Sequence, residues 1–142
     1  MGARRKGREL ALQVLYQVEL SGDDSPRAVS EFWERCDAGG GAREFGAALA
    51  QGVLGARERI DAVIANASEH WRFGRLSQVD RNVLRVATYE LLYRHDVPAS
   101  VAIDEAIEIA RRYGTDESAA FVNGVLDQVA SVVGAKERQG AV

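Results

Sequence analysis

Residues 121–133 read FVNGVLDQVASVV, and this stretch decides between a helical and a β-rich fold. Its Asn123-Gly124 pair, set between apolar residues, is a common signal for a two-residue β-hairpin turn. The apolar residues nevertheless continue through the pair at intervals of three and four, which fits one face of an α-helix. We therefore predict a helix through Gly124, with this glycine as a close-packing position that costs about 1 kcal/mol relative to alanine.

The same spacing of apolar side chains recurs along the rest of the chain, and only two prolines interrupt it. This pattern predicts an all-α protein. We expect helices over about 5–20, 26–36, 45–67, 77–95, 103–113 and 115–133. Two groups of three helices predict a single domain built from two packed three-helix bundles. The expected N-terminal bundle with its basic arm covers about 1–75, the C-terminal bundle covers about 76–133, and a tail follows over 134–142.

Two places in the middle of the chain depart from regular helix. Gly52 and Gly55 weaken the stretch 45–67, so we expect a kink or a break there. The segment 68–76 is ambiguous, and we expect Trp71 and Phe73 within it to dock on the core.

Composition limits the class of protein. A length of 142 residues, of which 46% are apolar and 27% are charged, fits one globular domain with a substantial core. No apolar run is long enough for a transmembrane helix, and Gln13, Gln17 and Glu19 interrupt the region where a signal peptide would need its apolar stretch. The single cysteine, Cys36, leaves no internal disulfide. We therefore expect a cytoplasmic protein.

Charge is distributed unevenly along the chain. Arg4, Arg5, Lys6 and Arg8 precede the first acidic residue, Glu9, and the other 14 basic residues are outnumbered by 21 acidic residues. On a helix the three arginines converge on one side, and guanidinium groups bind phosphate with paired hydrogen bonds. A polyanion site is one interpretation of this cluster. A frayed basic terminus that aids solubility is the other.

No other cluster predicts chemistry. Cys36 stands beside an acid, which disfavours its thiolate, and the two histidines, His70 and His95, have no neighbour at metal-ligand spacing. Asp104 and Glu108 are helical neighbours on a solvated face with arginines nearby. The glycines at 39–41 lack the lysine and Ser/Thr of a phosphate-binding loop. The sequence therefore predicts no catalytic residue, no metal site and no cofactor.

Several runs in the chain, taken together, resemble the NusB family of bacterial transcription antitermination factors. The runs in the second half are VDRNVLRV at 79–86, YEL at 89–91, DVP at 96–98, VAIDEAI at 101–107 and FVNGVLD at 121–127. The runs ARRKGRE at 3–9 and VLY at 14–16 are similar to the arginine-rich first helix of that family. The resemblance covers roughly residues 4–20 and 76–129, in the family's order and spacing.

The resemblance implies a function without catalysis. The family's fold is two three-helix bundles, and its RNA target is the single-stranded boxA element of nascent ribosomal RNA leaders. Its protein partner is NusE, a small-subunit ribosomal protein. Together they help to assemble a complex that keeps RNA polymerase from terminating early.

Site residues follow from the resemblance by position. Arg4, Arg5, Lys6 and Arg8 inherit contacts with RNA phosphates. Lys6 departs from the family's arginine, and it offers a point charge in place of a planar fork.

A second expected RNA surface surrounds the start of the last helix, at Tyr113, Glu117 and Phe121. Both aromatic residues also fit a role in core packing, and Glu117 would lower RNA affinity by repulsion. Ala119 and Ala120 stand where some relatives carry a basic residue, which predicts a weaker patch.

Asp80 falls where the family contacts NusE. Ser77 with Asp80 three residues later is also typical of a capping box, so helix capping is the alternative role.

Two other functions remain as alternatives. NusB-like helical domains also occur at the front of some RNA cytosine methyltransferases. This sequence shows no strand-rich Rossmann-like region, glycine-rich cofactor loop or catalytic cysteine motif, which disfavours that enzyme unless the sequence is a fragment. A scaffold that binds only protein would bind NusE without any preference for boxA. A homodimer and a monomer are equally compatible with the sequence.

Overall fold

The structure, a computed structural model, describes residues 2–68 and 76–134. Within these ranges the regular secondary structure consists of seven α-helices, and no strand is present, which confirms the predicted all-α class. The helices are α1 (Gly2–Ser21), α2 (Pro26–Arg35), α3 (Ala42–Gly55), α4 (Arg57–Ala67), α5 (Gln78–Tyr93), α6 (Ala99–Tyr113) and α7 (Ser118–Val132). His70, Trp71, Phe73 and residues 135–142 lie outside the described part, so the predictions for them stay predictions.

The chain divides into two compact units, Met1–Gly55 with α1–α3 and Ala56–Val142 with α4–α7. This division differs from the boundary expected near residue 75. The expected break in the stretch 45–67 is present, because α3 ends at Gly55 and Ala56 leaves helical geometry with φ −120° and ψ 22°. After the break, α4 buries Ile60 and packs against α5 and α7, so it belongs to the second unit.

In the first unit, α1 and α3 pack backbone against backbone. A Cβ atom built on Gly46 would lie 2.6 Å from the carbonyl oxygen of Gly7, and one built on Gly7 would lie 2.8 Å from the carbonyl oxygen of Ala42. Real Cβ atoms do not approach backbone so closely, so both glycines are required for this crossing. Leu10 and Leu49 are among the buried residues that form the core between the two helices.

The second helix, α2, is held more loosely, and none of its residues is fully buried. Its start is well defined, because Pro26 occupies the first turn and the side chain of Ser25 accepts a hydrogen bond from the N–H of Ala28 at 3.2 Å. The N–H of Ser25 donates to Asp23 at 3.0 Å, and this hydrogen bond holds the pKa of Asp23 below its usual value.

In the second unit, α5 packs against α4, α6 and α7. A partly buried ion pair joins it to α4: Nε and Nη2 of Arg85 donate to the two carboxylate oxygens of Asp61 at 2.8 and 3.0 Å. Nη1 of Arg85 also donates to Asn82 at 3.0 Å. Because Arg85 is only 8% exposed, these bonds satisfy a charge that would otherwise be costly to bury.

The last helix confirms one part of the prediction for residues 121–133 and corrects another. Helix α7 runs unbroken through Gly124, and Val122, Val125 and Val129 form part of its buried face. Gly124 itself is exposed, and a Cβ atom built on it would meet nothing within 4 Å. The prediction that Gly124 is a close-packing position is therefore wrong. The buried face holds the helix together despite the glycine.

None of the helices in the described ranges is long and apolar enough to cross a membrane.

Candidate nucleic-acid interface

The basic run lies on the first two turns of α1, and its four side chains differ in exposure. Arg4 and Lys6 are exposed, Arg5 is half-buried, and Arg8 is only 3% exposed. Helical geometry places Arg4 and Arg8 one turn apart, as the sequence predicted. The run therefore leaves Arg4, Arg5 and Lys6 open to solvent, and we call these three residues the α1 cation patch.

Arg8 differs from the other three basic residues in its burial. Its guanidinium carbon lies 5.2 Å from the centre of the Phe45 ring, and the residue is almost completely covered. A phosphate could reach this side chain only if it left its place. A direct phosphate contact by Arg8 stays a prediction, and it would require this movement. Helical spacing predicts the position of Arg8 along α1, but it does not reveal that the side chain packs over Phe45 of α3.

Phe45 also contacts the exposed end of the run. The guanidinium carbon of Arg4 lies 4.8 Å from the ring centre of Phe45, within the distance at which cation–π attraction operates. Nothing in the local sequence pattern connects Phe45 with the basic run. The signal that was missed is Gly7, a glycine inside a basic helix, which marks a close helix crossing at that point.

The second candidate surface lies at the junction of α6 and α7. Tyr113 is the last residue of α6 and is 49% exposed, so the alternative of a core aromatic is wrong for this residue. Glu117 is exposed immediately before α7, and Phe121 is half-buried, so both interpretations of Phe121 remain open. We call Tyr113, Glu117 and Phe121 the α6–α7 surface.

The turn that carries this surface has a defined geometry. Gly114 caps α6, and a Cβ atom built on it would lie 2.4 Å from Oγ of Ser118. The buried Ser118 accepts a hydrogen bond from the N–H of Thr115 at 2.9 Å. These local contacts fix the turn between the helices and thereby hold Tyr113 and Glu117 near its two ends.

Asp80 lies in the first turn of α5, where Ser77 caps the helix by accepting a hydrogen bond from the N–H of Asp80 at 3.1 Å. This confirms the capping role for Ser77, and it uses the backbone of Asp80. The side-chain oxygen Oδ1 of Asp80 is buried, and no hydrogen bond to it is seen within the described part of the chain. A buried carboxylate oxygen without a donor is costly.

The described residues contain no group of three or more His, Cys, Asp and Glu side chains that could hold a metal ion. Cys36 caps the end of α2, as expected, and His95 lies exposed with Nε2 3.2 Å from the carbonyl oxygen of Leu92. Asp104 and Glu108 are both exposed on α6, and Glu108 pairs with Arg111 on the same helix.

Comparisons with known proteins match nearly the whole chain. The model of the NusB family matches residues 5–131. The transcription antitermination protein NusB of Sorangium cellulosum is 46% identical over 138 residues, which cover 97% of this chain and 99% of that protein. NusB of Geobacter sulfurreducens is 46% identical over 134 residues, covering 94% and 97%.

Solved structures match as well. NusB of T. maritima superimposes with a TM-score of 0.85 at 41% identity, and 96% of each chain is covered. A chain from a crystal structure of NusB and NusE in complex with double-stranded RNA gives a TM-score of 0.79 at 26% identity, covering 92% of this chain and 97% of the other. Because the family model and relatives of more than 40% identity span almost the full length, this chain belongs to the NusB family.

Proposed function

We propose that this chain is a transcription antitermination factor that binds the single-stranded boxA element of nascent ribosomal RNA leaders together with NusE. The observation that carries the proposal is the exposed α1 cation patch on a chain whose remaining charge is acidic and whose relatives are antitermination proteins. Its role is to bind, not to catalyse. As part of a complex with RNA polymerase it would act where transcription takes place, in the cytoplasm.

The α1 cation patch supplies the electrostatic part of RNA binding. Arg4 and Arg5 offer planar guanidinium groups that match phosphate oxygens in pairs, and Lys6 offers a point charge. Three phosphate contacts on a single strand predict a slope of log K against log salt of roughly −2. With Arg8 buried, we expect three contacts and not four.

The α6–α7 surface supplies base contacts. The exposed ring of Tyr113 is suited to stacking on an unpaired base, and Phe121 offers a second, half-buried ring. Glu117 is anionic and repels phosphate, so it limits affinity at this surface. Single-stranded RNA is the ligand that stacking favours, because bases in a duplex are not free to lie on a protein ring.

NusE is the proposed protein partner, with Asp80 as a contact. The related NusB in the solved complex is bound to NusE and double-stranded RNA, which supports a pairing of the same kind here. Asp80 is proposed for this contact because the run VDRNVLRV places it where the family meets NusE. A homodimer remains an alternative state of the free protein.

The test is a fluorescence titration of boxA RNA, a scrambled RNA and a boxA duplex, with and without NusE, at two salt concentrations. The wild-type protein should prefer single-stranded boxA, and NusE should strengthen that preference. Replacement of Arg4, Arg5 and Lys6 by alanine should remove most RNA binding and leave NusE binding intact. The slope of log K against log salt should become less steep by about 2.

A matched control replaces Arg27, Arg57 and Arg59 by alanine. Like the α1 cation patch, this set contains two exposed residues and one half-buried residue. This variant changes the net charge equally but should retain RNA affinity. An equal loss in both variants would mean that only overall charge matters. NusE binding without any preference for boxA over scrambled RNA would instead identify a scaffold that binds only protein.

A further inference from the structure

The ring of Phe45 lies against the basic end of α1 at three points. The guanidinium carbons of Arg4 and Arg8 lie 4.8 and 5.2 Å from its centre. Between them in sequence, Gly7 comes so close that a Cβ atom built on it would lie 3.0 Å from Cδ2 of Phe45. The two cations on successive turns of α1 therefore share one aromatic ring.

Phe45 stands beside the buried face of α3, not within it. The residues that α3 buries include Ala42, Gly46, Leu49 and Val53, and Phe45 is only half-buried next to them. At this edge its ring can meet a cation that is still open to solvent. An aliphatic side chain of similar size could cover the same core, but it would lack the electron-rich face that attracts a cation.

Phe45 offsets a repulsion built into the basic run. Arg4 and Arg8 are like charges one helical turn apart, an arrangement that destabilises both the helix and any fixed position of the two side chains. Attraction of both cations to one ring opposes that repulsion. Arg8 is buried and Arg4 is exposed. The ring of Phe45 packs against the buried Arg8, and the same ring restrains the guanidinium of Arg4, which faces solvent.

We propose that Phe45 is a positioning residue for RNA binding, which holds the guanidinium of Arg4 in place before RNA arrives. The inference rests on the proposed function, since it assigns a role to Arg4 in that site. An arginine that is already restrained loses less rotamer freedom when it binds phosphate. Loss of the ring should therefore weaken RNA binding about two- to tenfold, the range expected for one side chain that must be ordered on binding.

The experiment is a double-mutant cycle in titrations with boxA RNA, using Phe45→Leu, Arg4→Ala and the double variant. Phe45→Leu alone should weaken binding about two- to tenfold, whereas in the Arg4→Ala background it should have almost no further effect. Phe45→Tyr keeps the ring and should bind like the wild-type protein. Phe45→Met serves as a second ringless variant if the leucine variant fails to fold.

A purely structural role for Phe45 gives a different pattern. If loss of the ring merely loosened α1 from α3, the presentation of Arg5 and Lys6 would suffer too. Phe45→Leu would then weaken binding equally with and without Arg4, and that result would overturn the proposal. Unchanged affinity of Phe45→Leu and Phe45→Met, beside a clear loss for Arg4→Ala, would also overturn it while leaving the proposed function intact.

A measurement without RNA separates the two proposals. NMR relaxation of the side-chain Nε of Arg4 in the free protein should show restricted motion in the wild type and in Phe45→Tyr, and faster motion in Phe45→Leu. If Arg4→Ala leaves RNA affinity unchanged, the RNA-binding role of Arg4 fails, and the positioning role in binding fails with it. Restricted motion that persists in Phe45→Leu would refute the positioning contact itself.

Discussion

At the start of α1 the exposed cations lie on a helix whose backbone touches α3, whereas Tyr113 and Glu117 lie at the ends of a turn held by local hydrogen bonds. In the first region, Gly7 and Gly46 permit the contact between the backbones of α1 and α3. The half-buried ring of Phe45 lies against the exposed Arg4 and the buried Arg8. In the second region, the contact between Thr115 and Ser118 fixes the turn. The α1 cation patch is thus tied to the packing of its unit, whereas Tyr113 and Glu117 depend on the local contacts of their turn.

This difference has a consequence for substitutions. A change beneath the α1 cation patch should alter stability and RNA affinity together. A change at the exposed residues of the α6–α7 surface should alter RNA affinity and leave the free energy of unfolding nearly unchanged. The two regions can therefore be compared by measuring both quantities for the same set of variants.

The largest expected effect is that of Gly46→Ala. The new Cβ atom would lie 2.6 Å from the carbonyl oxygen of Gly7, so α1 and α3 must move apart. Overpacking of this kind costs about 1–3 kcal/mol. Urea unfolding followed by circular dichroism should show the loss, and RNA affinity should fall with it because the contacts of Phe45 with α1 are disturbed. An unchanged unfolding midpoint would contradict the close crossing.

Tyr113→Ala should act on RNA binding alone. Loss of one stacking ring weakens binding by about 1–3 kcal/mol. Because a stacked ring neutralises no phosphate, the slope of log K against log salt should stay the same, whereas Arg4→Ala should make the slope less steep by about 0.7. Tyr113→Phe keeps the ring and serves as the control. A change of slope in Tyr113→Ala would show that this residue does not act through stacking.

Much of the fold could be predicted from the sequence, because apolar spacing reports which face of a helix is buried. The spacing through residues 121–133 correctly outweighed the local hairpin signal of Asn123-Gly124. It could not tell why Gly124 is present, since a glycine that packs closely and one that faces solvent look alike in a sequence. Periodicity also does not reveal which neighbours α4 packs against, so it could not assign α4 to either unit.

The candidate site was predictable to a similar extent. Helical geometry placed Arg4, Arg5 and Arg8 on adjacent turns, but the buried Arg8 lies over the ring of Phe45, a residue 37 positions further along the chain. Long-range contacts of this kind leave no local pattern. The sequence also indicated that α6 ends at Gly114. It did not show whether the ring of Tyr113, the last residue of the helix, faces the core or the solvent.

Gly124→Ala is the counterpart of Gly46→Ala, and we expect it to raise the free energy of unfolding where Gly46→Ala lowers it. A Cβ atom at this position meets no neighbour, and the helix gains from replacement of glycine. The free energy of unfolding should rise by about 0.5–1 kcal/mol, measured by the same urea titration. RNA affinity should not change. A loss of stability would indicate a contact that the structure does not contain, and it would weaken the contrast between the two glycines.

Glu117→Gln should give the smallest effect, a gain of RNA affinity of about twofold at low salt. The exposed carboxylate repels phosphate across solvent, and salt screens this repulsion, so the gain should disappear at high ionic strength. Glu58→Gln is the matched control, since Glu58 is also an exposed acid at the start of a helix, α4. An equal gain of RNA affinity in both variants would mean that the gain comes from the change in net charge and not from the position of Glu117. A gain confined to Glu117→Gln would place RNA near the start of α7, where repulsion falls within a Debye length of about 10 Å.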